Sequence, residues 1–327
     1  INFYSEVYTD NDVDYVKKQL ASNLSANHVF EDKRSVLDVA VNERKYEIVA
    51  ILLKNRCNPN LIQGRMLTPG EKESDEINLE KSCMYPCLVR EDVDMTSLLV
   101  QGGFDVNLRD TRQCSSLWHA VDSGNLEIVQ AILKSRNVNV NLPDMTKLRP
   151  LHVACLHGHY DIVKCLLQRK AIVDAKQIRD LTPLILACKA GCYRTVQSLL
   201  AHYANPNHQS STGISPLYTV LHNHRMQRNP KIIALLLAAG ARVNPNLLFV
   251  WRFSENLEVF EDMKNLHNVL KHESESPKSL KCSCGKMIRK LLYQNRLFTM
   301  RYCDIERQVK SLQLPTSLQD YILLKIV

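Results

Sequence analysis

Apolar residues recur at helical spacing along most of the chain, and the helical pattern itself repeats. A leucine recurs at positions 117, 151, 184 and 217, in steps of 34, 33 and 33 residues. Fifteen residues after each of the first three comes an apolar pair: Ile132-Leu133, Leu166-Leu167 and Leu199-Leu200. Two antiparallel helices per unit explain this spacing, and such pairs bury their apolar faces only by stacking on one another. The pattern predicts an all-α solenoid.

The residues between the apolar runs supply helix boundaries. Thr182-Pro183 and Ser215-Pro216 each offer an N-cap hydroxyl followed by proline at the first helical position. Gly124 and Gly191 fall between the two helices of a unit, where a positive φ is accessible to glycine. The sequence therefore predicts where helices begin and turn.

The chain contains eleven cysteines, which are scattered. Five lie in apolar patterns that we interpret as helical, where a thiol acts as a small hydrophobic group: Cys57, Cys114, Cys155, Cys165 and Cys188. The odd number favours a reducing compartment over a disulfide framework. Short pairs such as Cys282-x-Cys284 and His157-x-His159 lack the spacing of a zinc finger. We therefore expect no metal and no cofactor.

Composition and charge exclude several classes of protein. Of 327 residues, 45% are hydrophobic and 23% charged, which is typical of a globular protein. The longest apolar run, Ile232–Ala241, is too short to span a bilayer. The start resembles no secretory signal and has no Met, so we expect a protein of the cytoplasm or nucleus whose chain begins inside a longer one. Residues 277–327 carry +7 of the net charge of +8. The rest of the chain therefore lacks the basic surface stripe that is typical of nucleic-acid-binding proteins.

The repeats resemble ankyrin repeats, most clearly in Arg149-Pro-Leu-His-Val-Ala154. Weaker units extend the frame back through Ser35–Ala40 and Asp12–Leu20, and a unit near Cys83–Leu88 has lost the motif and contains Pro86. The resemblance predicts about seven units over 1–244, interrupted by a polar insertion at 63–80. We interpret 245–276 as a degenerate capping repeat and linker.

The resemblance implies that the array binds a protein, through its concave face and loop tips. We place the tips near Arg109-Asp110, Asp144-Met145 and Arg179-Asp180, which makes these residues the candidates for substrate binding. Trp118 lies beside the predicted inner helix face. It is either a binding hot spot or a filler of the core.

The last fifty residues differ from the repeats. Leu280, Cys284 and Ile288 recur every four residues, and a second apolar set follows around a proline. The members of that second set are Leu312, Leu314, Pro315, Leu318 and Tyr321. Together the two sets resemble a SOCS box, with Gln313 where the family pattern has its first proline. Array and box together are the layout of the ankyrin repeat and SOCS box family.

The resemblance implies that Leu280, Cys284 and Ile288 bind elongin C, which pairs with elongin B, and that the second set binds cullin-5 with its RING protein. The chain would then be a non-catalytic receptor that holds an unidentified substrate for ubiquitination and proteasomal degradation. An ankyrin scaffold or inhibitory adaptor without ligase recruitment is the alternative. A regulator tethered to nucleic acid through the basic tail is disfavoured, because the tail lacks aromatic stacking platforms.

Overall fold

The computed structural model describes residues 13–22, 25–31, 33–62, 65–66, 78–222 and 230–242. It confirms the predicted fold class, an all-helical array of stacked helix pairs. The array divides at Pro150 into two compact units, which we describe separately.

The described residues of the first unit form three complete helix pairs, preceded by a single helix. That helix, α1 (Val13–Ala21), confirms the helix predicted from the Asp12–Leu20 pattern. The pairs are α2 (Val36–Asn42) with α3 (Tyr46–Lys54), α4 (Met84–Val89) with α5 (Val93–Gln101), and α6 (Ser116–Asp122) with α7 (Leu126–Leu133).

The second unit repeats the same arrangement in residues 151–242. Its pairs are α8 (Pro150–His157) with α9 (Tyr160–Gln168), α10 (Pro183–Ala190) with α11 (Tyr193–Ala201), and α12 (Pro216–His222) with α13 (Pro230–Ala238). Within this unit α10 packs against α12, and α11 packs between α9 and α13. Neighbouring pairs therefore pack with the first helix of one pair against the first helix of the next. The second helices of neighbouring pairs contact one another in the same way.

The recurring leucines form the core of both units. Leu117, Leu151, Leu184 and Leu217 are all buried. So are the residues of the three apolar pairs that follow them. Full burial of a leucine contributes about 1.5–3 kcal/mol, so the repeat period of the sequence marks the positions that stabilise the stack.

Side-chain caps fix where several helices begin. Ser35 and Asp38 form a capping box, in which the Ser35 hydroxyl accepts from the Asp38 amide and the Asp38 carboxylate accepts from the Ser35 amide. The side chains of Asp92 and Asn125 cap α5 and α7 by accepting hydrogen bonds from backbone amides of the first turn. These caps satisfy amides that have no partner inside the helix.

The predicted N-caps of the second unit behave differently from each other. Ser215 accepts a hydrogen bond from the Tyr218 amide, as expected. Thr182 precedes Pro183 at the first helical position, but its hydroxyl forms no capping bond and is buried without a partner. The proline alone sets the start of α10 because it fixes φ and lacks an amide hydrogen.

In the helix pairs whose turn the structure describes, one left-handed residue makes the turn. Gly124 and Gly191 have φ of 77° and 72°, which confirms the prediction for both glycines. Arg44 and Glu91 adopt φ of 57° and 55° at the corresponding positions of the first unit. The repeat geometry therefore imposes a left-handed conformation even where the residue is not glycine.

The insertion between the first and second pairs is only partly described. Two-residue strands β1 (Leu61–Ile62) and β2 (Arg65–Met66) pair antiparallel, and a short 3-10 helix spans Leu79–Lys81. In the repeat that follows, Pro86 lies in the first turn of α4, where proline is tolerated. The unit that has lost the sequence motif therefore keeps its helix.

The cysteines of the described region are all free, and most of them are buried. The prediction that they lie in helices is wrong for two of them, because Cys57 follows α3 and Cys114 lies in the loop before α6. Both side chains are nonetheless buried. Among the described helices, none has both the length and the apolarity needed to cross a bilayer.

Candidate functional site

The loops between repeats are tight turns built on one recurring arrangement. The backbone amide of the first residue of the turn donates to the carbonyl of the residue four positions further on, as in the pairs Asp110–Cys114 and Gln177–Leu181. Its side chain also accepts from an amide two residues further on. The fourth residue of each turn has a positive φ: Lys33, Gln113, Lys147, Asp180 and Gly213. These turns contain the residues that the sequence predicts to bind a partner.

In the loop at Asp110, the exposed tip lies slightly later in the chain than the sequence analysis predicted. Asp110 is buried, and its Oδ1 accepts from the amides of Arg112 and Cys114 at 2.8 and 2.7 Å. Arg109 is half-buried and donates to the side-chain oxygen of Gln113 at 2.9 Å. The solvent-exposed tip is Thr111-Arg112. The Asp110 carboxylate therefore builds the loop rather than facing a partner.

The next loop begins at Asp144, which plays the same internal role. Its Oδ1 accepts from the amides of Thr146 and Leu148, both at 2.8 Å. Met145 is 61% exposed, and its amide donates to the Arg112 carbonyl at 3.1 Å. The backbones of neighbouring loops are thus joined, while the Met145 side chain projects as an apolar surface residue.

In the second unit, Arg179 and Asp180 lie in the turn between α9 and α10. Arg179 is exposed, and its carbonyl accepts from the amide and the hydroxyl of Ser211 in the next loop. Asp180 has φ of 55°, and its carbonyl accepts from Nε2 of His208 at 2.7 Å. Both residues therefore brace neighbouring loops through their backbones, and the Arg179 side chain remains at the surface.

Trp118 lies on α6 and is only 9% exposed. Its ring centroid is 5.7 Å from that of His119, in an edge-on arrangement, and the Arg112 guanidinium lies 6.0 Å from it. The indole N–H is buried without a partner. The burial favours the core alternative for Trp118, with Arg112 covering its outer side.

His119 is a residue that the sequence reasoning missed. Its Nε2 lies 2.9 Å from Oδ2 of Asp110, and its ring meets that of Tyr85 edge-on. The donor atoms of Asp110, Cys114 and His119 all lie within 4.8 Å of one another. Burial, together with the charge of Asp110, raises the pKa of the Cys114 thiol to about 12. These three side chains are the group within the described residues that could hold a metal ion.

Comparison with known families accounts for both parts of the chain. The model for ankyrin repeats matches residues 83–177 and 151–247, and the model for the SOCS box matches residues 276–323. The chain belongs to the ankyrin repeat and SOCS box proteins. A SOCS box marks an adaptor of elongin–cullin ubiquitin ligases, and ankyrin repeats bind proteins. Both are adaptor modules and typically non-catalytic.

Individual relatives are similar to part of this ankyrin repeat and SOCS box protein. Ankyrin repeat protein FPV222 of Fowlpox virus (strain NVSL) is 27% identical over 153 residues, which are 47% of this chain and 18% of that protein. The serine/threonine-protein kinase VIK of Arabidopsis thaliana is 41% identical over 68 residues (21% and 15%). The human transient receptor potential cation channel subfamily A member 1 is 24% identical over 181 residues (47% and 16%). The chain thus matches less than a fifth of the length of each.

The predicted ligase-binding residues lie outside the described residues. This applies to the elongin-binding set of Leu280, Cys284 and Ile288 and to the cullin-binding set that begins at Leu312. Their roles stay predictions from the family pattern, although all of them fall within the matched SOCS box.

Proposed function

We propose that this protein is the substrate receptor of a ubiquitin ligase composed of elongin B, elongin C, cullin-5 and a RING protein. Its ankyrin repeats hold a target protein, and its SOCS box docks the target on the ligase. The observation that carries the proposal is the presence of both modules, in this order, in one chain. Ubiquitination then accelerates because the tethered substrate has a raised effective concentration at the ligase.

The cytoplasm is the proposed location of this activity. The eight cysteines of the described region are all free, and unpaired cysteines are typical of a reducing compartment. A nuclear pool is compatible with the same chemistry. Elongin binding, rather than location, is the sharper test of the proposal.

Elongin binding is proposed to depend on Leu280, Cys284 and Ile288. Leu280 inserts into an apolar pocket of elongin C, where its burial contributes about 1.5–3 kcal/mol. Cys284 is small enough to allow close approach of the helix, and Ile288 extends the contact. Pro315 keeps the second set extended for cullin-5. Gln313, in place of the family proline, is expected to affect the strength of that cullin contact.

The test is co-purification of the full chain with elongins B and C. Leu280→Ala combined with Cys284→Ala should abolish it, because both substitutions remove apolar contact. The matched control is Lys281→Ala combined with Lys286→Ala, on other faces of the same predicted helix, which should retain binding. Retained binding by the first double variant would overturn the site, and capture of a different cullin by the intact complex would overturn the assignment to cullin-5.

Substrate binding is proposed to involve the exposed loop tips of each unit. Arg112 and Met145 are exposed in the first unit, and Ile178 and Arg179 in the second. The tips combine apolar and cationic side chains, which are enriched at protein interfaces. Affinity purification from cells with blocked ligase turnover should trap the target. A chain lacking 277–327 should still bind that target but no longer reduce its abundance; an unchanged abundance in the presence of the intact chain would instead indicate a scaffold.

A further inference from the structure

Asp110, Cys114 and His119 lie within ten consecutive positions of the first unit, but they belong to two different elements. Asp110 and Cys114 form the two ends of a tight loop, and His119 lies on α6. Their donor atoms lie within 4.8 Å of one another, and Nε2 of His119 is 2.9 Å from Oδ2 of Asp110. The fold therefore brings a carboxylate, a thiol and an imidazole to one point.

We propose that these three side chains form a Zn²⁺ site that clips the loop at residues 110–114 to α6. Zinc accepts exactly this mixture of sulfur, nitrogen and oxygen ligands, and an open site has three protein ligands and a water. Thiolate and imidazole favour zinc over calcium or magnesium, which prefer oxygen ligands alone. The site goes beyond the proposed ligase function and does not depend on it.

The distances match a site that is close to assembled. Bond lengths of about 2.0–2.3 Å place the donors of a tetrahedral zinc site roughly 3.3–3.6 Å apart. The nitrogen and oxygen are already closer than this, and the sulfur lies within 4.8 Å of both. A rotation of the Cys114 side chain and a small separation of Asp110 and His119 complete the geometry.

The carboxylate of Asp110 is oriented for this role by its other oxygen. Oδ1 accepts from the amides of Arg112 and Cys114, which leaves Oδ2 directed at His119. Backbone hydrogen bonds of this kind hold a metal ligand in position and increase metal affinity. The ligand oxygen therefore needs no rearrangement of the loop.

Arg112 is the cation that would compete with the metal for the Asp110 carboxylate. Its Nε lies 3.7 Å from Oδ2 of Asp110, and its side chain is 60% exposed. A zinc ion with one carboxylate and one thiolate is neutral, and the guanidinium can withdraw into solvent. Binding releases the thiol proton of Cys114 to solvent.

The experiment uses the full chain, freed of metal by a chelator and titrated with Co²⁺. We expect a thiolate-to-cobalt absorption band that Zn²⁺ abolishes by displacement. Cys114→Ser should remove this band, and His119→Gln should weaken Co²⁺ binding at least about tenfold. Cys165→Ser, which alters a half-buried thiol on α9, is the matched control and should leave the band unchanged.

Two further outcomes decide the proposal. Arg112→Gln should tighten Co²⁺ binding, because it removes the competing cation; a site elsewhere in the chain would not respond. The proposal is overturned if the wild-type chain gives no thiolate band, or if the band is indifferent to both Cys114→Ser and His119→Gln. His119→Gln keeps a polar side chain at a partly exposed position, so the test does not depend on whether Cys114→Ser folds.

Discussion

The hydroxyl of Tyr46 donates a hydrogen bond of 2.7 Å to Oδ2 of Asp92. Tyr46 is the first residue of α3, and Asp92 is the N-cap of α5, so the bond joins the second helices of successive pairs at the same end. The other oxygen of Asp92 accepts from the Met95 amide. One carboxylate therefore caps a helix and links two repeats, which couples local structure to the stacking of the solenoid.

Tyr46→Phe should lower the free energy of unfolding by about 1 kcal/mol, because it deletes one hydrogen bond. Asp92→Ala should cost more, since it removes the cap as well. Urea unfolding of the two single variants and the double variant gives the coupling energy between the two side chains. Additive losses would show that the bond contributes nothing of its own.

The stabilisation from the Tyr46–Asp92 hydrogen bond should decrease at high pH. The hydrogen bond to Asp92 raises the pKa of the Tyr46 phenol above 10.0. The folded state therefore favours the protonated phenol, and the stabilisation is complete below the pKa of the unfolded tyrosine. It should be lost as pH rises through the raised value. The difference in stability between wild type and Tyr46→Phe should accordingly shrink at high pH, and a constant difference would contradict the assignment.

Leu184→Ala should lower the free energy of unfolding by about 2–5 kcal/mol, because the side chain is fully buried and its removal leaves a cavity. Ile178→Ala in the preceding loop is the matched control. That side chain is 60% exposed, so its loss should change stability by at most about 0.5 kcal/mol. Urea midpoints of the two variants test the comparison, and similar midpoints would contradict the core position of Leu184.

The core could be predicted because the solenoid repeats its geometry. A residue at the same position of every helix pair meets the same neighbours, so the period of the leucines was enough to identify Leu117, Leu151, Leu184 and Leu217. The left-handed turns at Gly124 and Gly191 were predictable for the same reason. At Arg44 and Glu91 the residue type gave no such signal, and the repeat frame alone locates the turn.

The details of the loops were not accessible in the same way. Asp110 looks like a surface residue by type, but it is buried because the loop amides need an acceptor. His119 was missed because its partner lies nine residues earlier, in a different element. The signal that could have revealed it is the Asp110-x3-Cys114-x4-His119 spacing, taken together with the loop and helix boundaries.

Asp144→Ala should loosen its loop, because Oδ1 of Asp144 accepts from the amides of Thr146 and Leu148. Both amides should exchange hydrogen faster in the variant, as measured by hydrogen–deuterium exchange of the intact complex. Asp144→Asn keeps an acceptor oxygen and should largely preserve protection. Equal exchange in the two variants would show that the carboxylate does not organise the turn.

Gly158→Ala should be more destabilising than Gly213→Ala, although both glycines have nearly the same φ of 76° and 77°. Each substitution forces an alanine into the left-handed region at a cost of about 1–2 kcal/mol. At Gly213 the added methyl group meets no atom within 4 Å, whereas at Gly158 it collides with Sγ of Cys192. The extra loss at Gly158 therefore measures the close packing of the α8–α9 turn against the start of α11.

Cys192→Ala supplies the rescue for this comparison, because it removes the sulfur that the new methyl group would strike. In the Gly158→Ala background it should restore stability to about the level of Gly213→Ala, leaving only the backbone strain of about 1–2 kcal/mol. Cys192 is the N-cap of α11 but makes no side-chain capping bond, so its own loss should be small. Urea unfolding of the four variants gives the coupling directly. Purely additive losses would mean that the turn relaxes away from α11 and that the contact does not limit which residue can stand at position 158.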